Sequence, residues 1–261
     1  MPHARWITAV TLMCTQVVGG ATGFAAAALS IPIILLVLND LAIVLPMICV
    51  IGLTLSIGIA LIHWRDIDFR RAAVLTPLAL AGIPLGTLAF KWLPAPVLKI
   101  CLGLFVGAIA LRGLLRRGEA RPWTGWRRWV AMLLPFAGGV IHGAVNSGGP
   151  LVVAYAERTL REKARFRATL SICFIPMNVW LLVWHIVEGR YTPFTVDLTA
   201  STFPFAALGW VVGMMVHGHL SERLFRRLVQ VLLLILGLIT TARAAFELVS
   251  ASGHPVVAGL S

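Results

Sequence analysis

Charge is scarce in this sequence. Of 261 residues, 12% are charged against 59% hydrophobic, and mean hydropathy is +0.91. No soluble globular domain of this length carries that balance, so the chain reads as an all-α polytopic membrane protein without a soluble domain. Acidic groups are scarcer still. All ten lie in connectors or near the ends of apolar stretches, and the buried carboxylate relay of many proton-driven transporters is missing. Four cysteines occur, Cys14, Cys49, Cys101 and Cys173, each inside a different apolar segment. That spacing excludes a metal cluster and a disulfide framework and leaves them as packing residues. The formal charge of +12 would point to nucleic acid in a soluble protein. Here the bases sit in short connectors between apolar spans, so the expected partner is the lipid bilayer and no nucleic acid. The first apolar run starts at Trp6 without a small-residue cleavage pattern, so it is expected to be retained structure. The sequence implies no metal and no cofactor.

What is present is a series of apolar segments near the ~20 residues needed to cross hydrocarbon. Residues 6–38 are too long for one crossing and too short for two, and are interrupted at Gly19-Gly20-Ala21-Thr22-Gly23-Phe24. Single spans follow at Leu41 to His63, Ala72 to Leu93 and Val97 to Leu115. The order then repeats: a broken stretch at 129–156, then Thr169 to Val187, Thr199 to His217 and Leu228 to Val249. Pro77, Gly82 and Gly86 recur as Pro204, Gly209 and Gly213, displaced by 127 positions. Both triplets predict a close-packing face on the third helix of each half. We therefore expect two membrane repeats, 1–118 and 119–261, within one integral membrane domain.

The basic residues predict orientation. Seventeen of the 22 Lys and Arg lie in the connectors 64–71, 112–128, 156–168 and 218–227. If residues 129–156, like 6–38, crossed once, Lys and Arg would divide 12 to 10 between the two sides. If the segment dips in and returns, they divide 17 to 5, as the positive-inside bias favours. A re-entrant hairpin in each half would invert the second repeat relative to the first. Arg5 alone favours a first segment that crosses.

The polar chemistry gathers at the two glycine-rich breaks. A helix ending within the membrane exposes unpaired N–H groups and a positive dipole end, an anion site that needs no buried arginine. Around the first break the candidate binding residues are Gln16, Gly19, Gly20, Thr22 and Gly23. Around the second, within Gly138 to Pro150, they are His142, Gly143, Asn146, Ser147, Gly148 and Gly149. The alternative role of these groups is to satisfy backbone freed by the break. His142 is the titratable group beside a break, able to carry a proton or to stay neutral and bonded to backbone. His63, His185, His217 and His219 lie near span ends and read as interfacial. Asn178 either lines the path or bonds across helices.

With its paired breaks, Gly19 to Phe24 followed by Pro32, and Gly138 to Pro150, each opening a half of four segments, the chain resembles the sulfite exporter TauE/SafE family over nearly its whole length. The resemblance implies a multi-pass transporter of the bacterial cytoplasmic membrane, not an enzyme, that exports a small anion such as sulfite or an organosulfonate and possesses the capacity to form a homo-oligomer. One departure is the run Ala25 to Ala28 after Phe24, which restarts helix early. Three other functions stay open: a passive anion channel, a packing scaffold, and an intramembrane serine hydrolase. The hydrolase would use Ser147 as nucleophile with His142 or His185 as base.

Overall fold

The computed structural model describes residues 2–22, 26–115, 125–160, 162–216 and 222–252, which hold helices and no strand. The first half comprises α1 (Pro2–Thr22), α2 (Ala26–Leu38), α3 (Leu41–Ile62), α4 (Phe69–Trp92) and α5 (Ala95–Leu115). The second comprises α6 (Arg127–Ala131), α7 (Leu133–Val145), α8 (Gly149–Ala156), α9 (Lys163–Val187), α10 (Pro193–Val216) and α11 (Glu222–Ser252). Among the described residues six helices, α3, α4, α5, α9, α10 and α11, are long and apolar enough to cross a membrane, and they coincide with the six expected single spans. By contrast α2 and α7 have 13 residues each and α8 has 8. At 1.5 Å per residue a 13-residue helix covers ~20 Å, short of the ~30 Å hydrocarbon layer.

Packing pairs helices from the two halves. α1 lies along α10, α4 along α7, α3 along α9 and α5 along α11, while α1 folds back on α2 and α7 on α8. The glycine triplets make the first two contacts. A Cβ on Gly86 would land on the Val140 carbonyl and 2.7 Å from the Ala144 nitrogen, and one on Gly82 would meet the Phe136 carbonyl. Gly209 and Gly213 sit in the same way on the carbonyls of Met13 and Val17. In both pairs the residue numbers rise together, so the helices run parallel.

These contacts correct one expectation. Gly138, Gly139 and Gly143 do not break the second segment, because α7 runs through all three, and α1 likewise runs through Gly19 and Gly20. Glycine inside a helix costs about 0.5–1 kcal/mol relative to alanine. Close backbone approach, Gly139 on Ala79 and Gly143 on Ile83, supplies the compensating contact. The second break shrinks to residues 146–148, while α1 extends to Thr22 and residues 23–25 lie outside the described residues. α2 restarts at Ala26, inside the alanine run.

Polar contacts tie the ends of the bundle. Arg5 at the start of α1 pairs with Asp197 at the start of α10, and Lys91 meets Glu188 at 3.3 Å. Lys99 Nζ donates to Asn39 Oδ1 at 2.6 Å and pairs with Glu247 at 3.0 Å. At the opposite end the Asp68 N–H donates to Thr169 Oγ1 at 3.0 Å, setting the starts of α4 and α9 together. Two single-residue expectations change. Cys49 and Cys173 are buried packing residues, but Cys14 and Cys101 are exposed on the outer faces of α1 and α5. His185 is 3% exposed and packs inside the bundle instead of facing the interface; His217 and His219 lie outside the described side chains.

Candidate functional site

The second break is built by its own sequence. Asn146 ends α7 in the left-handed conformation, φ 50° and ψ 27°, with its N–H bonded to the His142 carbonyl at 2.8 Å. Asparagine tolerates this region better than most side chains. Pro150 has no N–H to return to the Asn146 carbonyl, so the α7 ladder cannot continue, and proline instead opens α8. Gly148 then closes the hairpin: a Cβ there would strike the Gly138 carbonyl. The first hairpin is held by a 2.6 Å bond between the Thr15 and Ser30 hydroxyls and by Gly19 against Ala26.

The two hairpins meet at one cavity of about 90 Å³. The first contributes Gln16, Gly19 and Ala26 to Ala28, the second His142, Asn146, Ser147, Gly149 and Pro150. The first turns of α2 and α8 are thus both in the wall, and first-turn N–H groups have no intrahelical acceptor. α3 supplies Gly52, Ser56 and apolar neighbours, α9 supplies Phe174 and Asn178, and α10 supplies Trp210. No lining side chain is charged by formal count, with His142 neutral.

Buried polar atoms without a protein hydrogen-bond partner concentrate here. They are Gln16 Oε1, both ring nitrogens of His142, Ser147 Oγ and Trp210 Nε1. Gln16, His142 and Ser147 are 3%, 5% and 2% exposed. Leaving a buried polar group unpaired costs about 1–3 kcal/mol, and these atoms bear that cost together in one wall. His142 packs against the Phe174 ring, centroids 6.0 Å apart, and lies close to the Asn178 side chain without closing a hydrogen bond. Asn178 in turn donates to the Phe174 carbonyl at 3.0 Å, and its own carbonyl accepts from the Cys49 thiol at 3.3 Å. Neither His142 nor His185 hydrogen-bonds the Ser147 hydroxyl, so no nucleophile–base pair is formed.

Apolar spans thus surround a small cavity lined in part by neutral polar groups. The sulfite exporter TauE/SafE family matches residues 8–240. This chain belongs to that family. It is therefore a membrane transporter, and its six span-length helices make it a multi-pass inner-membrane protein. One similar relative is a probable inner membrane transporter protein, TsaS, of Comamonas testosteroni. It is 27% identical over 187 residues, which cover 69% of this chain and 75% of the relative. No solved structure matches the chain.

Six of the residues expected to bind substrate in this TauE/SafE transporter line the cavity: Gln16, Gly19, His142, Asn146, Ser147 and Gly149. Gly20 and Gly143 face α10 and α4 as packing glycines, and Gly148 seals the second hairpin. Thr22 is the last residue of α1, and Gly23 lies outside the described residues. Ser30 turns away to bond Thr15. Reasoning on the breaks alone missed Ser56 and Trp210, which approach from α3 and α10. A serine or tryptophan within a span carries no local signal of that role. Gly52 and Gly58 were the available hint, since each leaves room for a large neighbour, Asn178 and Trp210 respectively.

Proposed function

We propose that this protein exports a small oxyanion, sulfite or an organosulfonate, through the cavity between its two hairpins. The observation that carries the proposal is the convergence of two helix N-termini and a set of unpartnered neutral polar groups on one cavity wall. Helix N-termini present N–H groups and a positive dipole end to an anion. Neutral donors orient a desolvated oxyanion while leaving it free to depart. Outward movement of one negative charge down an inside-negative potential of 100 mV releases about 2.3 kcal/mol, so export requires no buried carboxylate relay.

The hairpins belong, on this proposal, to two inverted repeats that enter from opposite faces. Support comes from the main pairings of helices, α1 with α10, α4 with α7, α3 with α9 and α5 with α11, which map onto themselves when α1–α5 are exchanged with α7–α11. Support also comes from the 17-to-5 division of basic residues that hairpins would give. Single cysteines placed in 112–128 and 156–168 of a cysteine-free background should label from the same face; labelling from opposite faces would sink the arrangement. Flux in proteoliposomes under imposed voltage, with sulfite, sulfoacetate, sulfate, thiosulfate and small carboxylates, tests the substrate class. Sulfite or sulfoacetate should move, and Asn146→Leu should abolish the flux in protein that still inserts. Movement of carboxylates alone would refute the proposal.

A further inference from the structure

No formally charged side chain lines the cavity among the described residues, yet a cation is bonded to the residue next to its wall. Arg167 Nη2 donates to the Gly20 carbonyl at 2.8 Å, joining the first turns of α9 to the last turn of α1. Gly20 follows the cavity-lining Gly19 directly. It is pressed against the Trp210 carbonyl and Gly213 of α10, with no room for a Cβ. The accepting carbonyl is one of the orphan acceptors at the end of α1, where the dipole is negative and a guanidinium is favourable. Arg167 is not saturated by this bond, because its Nε is buried and has no acceptor. Nearby Arg165 is already engaged by Glu162 at 3.1 Å. A neutral carbonyl is a weaker acceptor for guanidinium than an oxyanion, which takes two parallel, shorter N–H bonds.

We propose that Arg167 is the first ligand of the transported anion and the latch on the first hairpin. An arriving sulfite-like or sulfonate-like oxyanion draws the guanidinium from the Gly20 carbonyl, and that exchange frees the end of α1 as the anion passes to the neutral donors. The bond is thus a contact of the empty protein that substrate replaces. The proposal rests on the anion cavity described above, and it adds a charged ligand outside that cavity's wall. Lysine at 167 would keep the charge without the planar pair of donors; glutamine would keep a donor without the charge.

Anion-dependent thermal stabilisation of the purified full chain, titrated with sulfite and with sulfoacetate, separates the two claims. Arg167→Gln should weaken apparent affinity by about tenfold or more, and Arg167→Lys by about threefold to tenfold. In proteoliposomes Arg167→Gln should raise the half-saturating concentration by the same factor and flatten its dependence on salt. If Arg167→Gln and Arg167→Lys bind as wild type while Ser147→Ala does not, Arg167 is only a staple and the inference falls while the cavity stands. If Ser147→Ala binds as wild type while Arg167→Gln does not, Arg167 stands and the cavity falls. If wild type responds to neither anion, both fall. Should Arg167→Gln fail to fold, Arg167→Lys decides alone: lower melting temperature with unchanged affinity overturns the latch.

Discussion

Ser147→Ala separates a group kept for substrate from a group kept for the fold. The hydroxyl is 2% exposed and has no hydrogen-bond partner in the protein. Its burial therefore costs the empty protein about 1–3 kcal/mol, and alanine removes that cost while leaving almost the same volume. The lower end of the range is the apt one, since membrane-buried groups find partners in the unfolded state too. Ser147→Ala should then raise the stability of the empty protein by about 1 kcal/mol. A hydrogen bond from a hydroxyl to a charged acceptor contributes about 1.5–3 kcal/mol, so the same change should weaken binding of an oxyanion by roughly 10- to 150-fold. The assay is paired: reversible denaturation in detergent without anion, and the concentration dependence of sulfite flux in proteoliposomes. Stability up with affinity down is the expected pair. A loss of more than about 1 kcal/mol with unchanged flux would show that the hydroxyl serves the backbone break, and would refute the reasoning.

Other expectations follow from the same contacts. Gly86→Ala should destabilise by about 1–3 kcal/mol, because its Cβ meets only backbone of α7 and nothing flexible can yield. Gly107→Ala, whose nearest neighbour is Leu234 Cδ1 at 4.0 Å, should be neutral or stabilising by up to about 1 kcal/mol; equal behaviour of the two in denaturation would contradict the packing account. Lys99→Met should cost about 1 kcal/mol by leaving the half-buried Glu247 carboxylate without its cation, with much of it restored in the double variant with Glu247→Met. Trp210→Phe removes the indole N–H together with the outer ring that Gly58 makes room for, so flux should show about a tenfold higher half-saturating concentration and stability should fall by about 1–3 kcal/mol.

Spans and packing faces were legible because their physics is local and periodic. The six crossings follow from length and apolarity, and the Pro77–Gly82–Gly86 and Pro204–Gly209–Gly213 triplets follow from what a missing Cβ permits. The extent of the breaks was not legible. Glycine weakens helix in any sequence, and whether Gly139 and Gly143 end a helix or bed it against α4 depends on the partner surface, which lies about 60 residues away in the chain. Asn146 and Ser147 were recoverable because an αL-tolerant residue and a proline flank the turn. Ser56 and Trp210 reach the cavity only through tertiary packing. Arg167 read as one more basic connector residue, since its bond to Gly20 spans 147 positions.

The central claim is that both hairpins hold one anion, and protection of a cavity cysteine tests it most directly. Cys14, Cys49, Cys101 and Cys173 are replaced, and single cysteines are introduced at Ala27 on the first hairpin and at Ser56 on α3, both in the cavity wall. Labelling by a small water-soluble thiol reagent is then followed while sulfoacetate is added to transport-competent vesicles. The account predicts that sulfoacetate slows labelling at both positions with the same concentration dependence, matching its half-saturation for transport. Transport that proceeds with neither cysteine protected, or with Ala27→Cys protected and Ser56→Cys untouched, would contradict it.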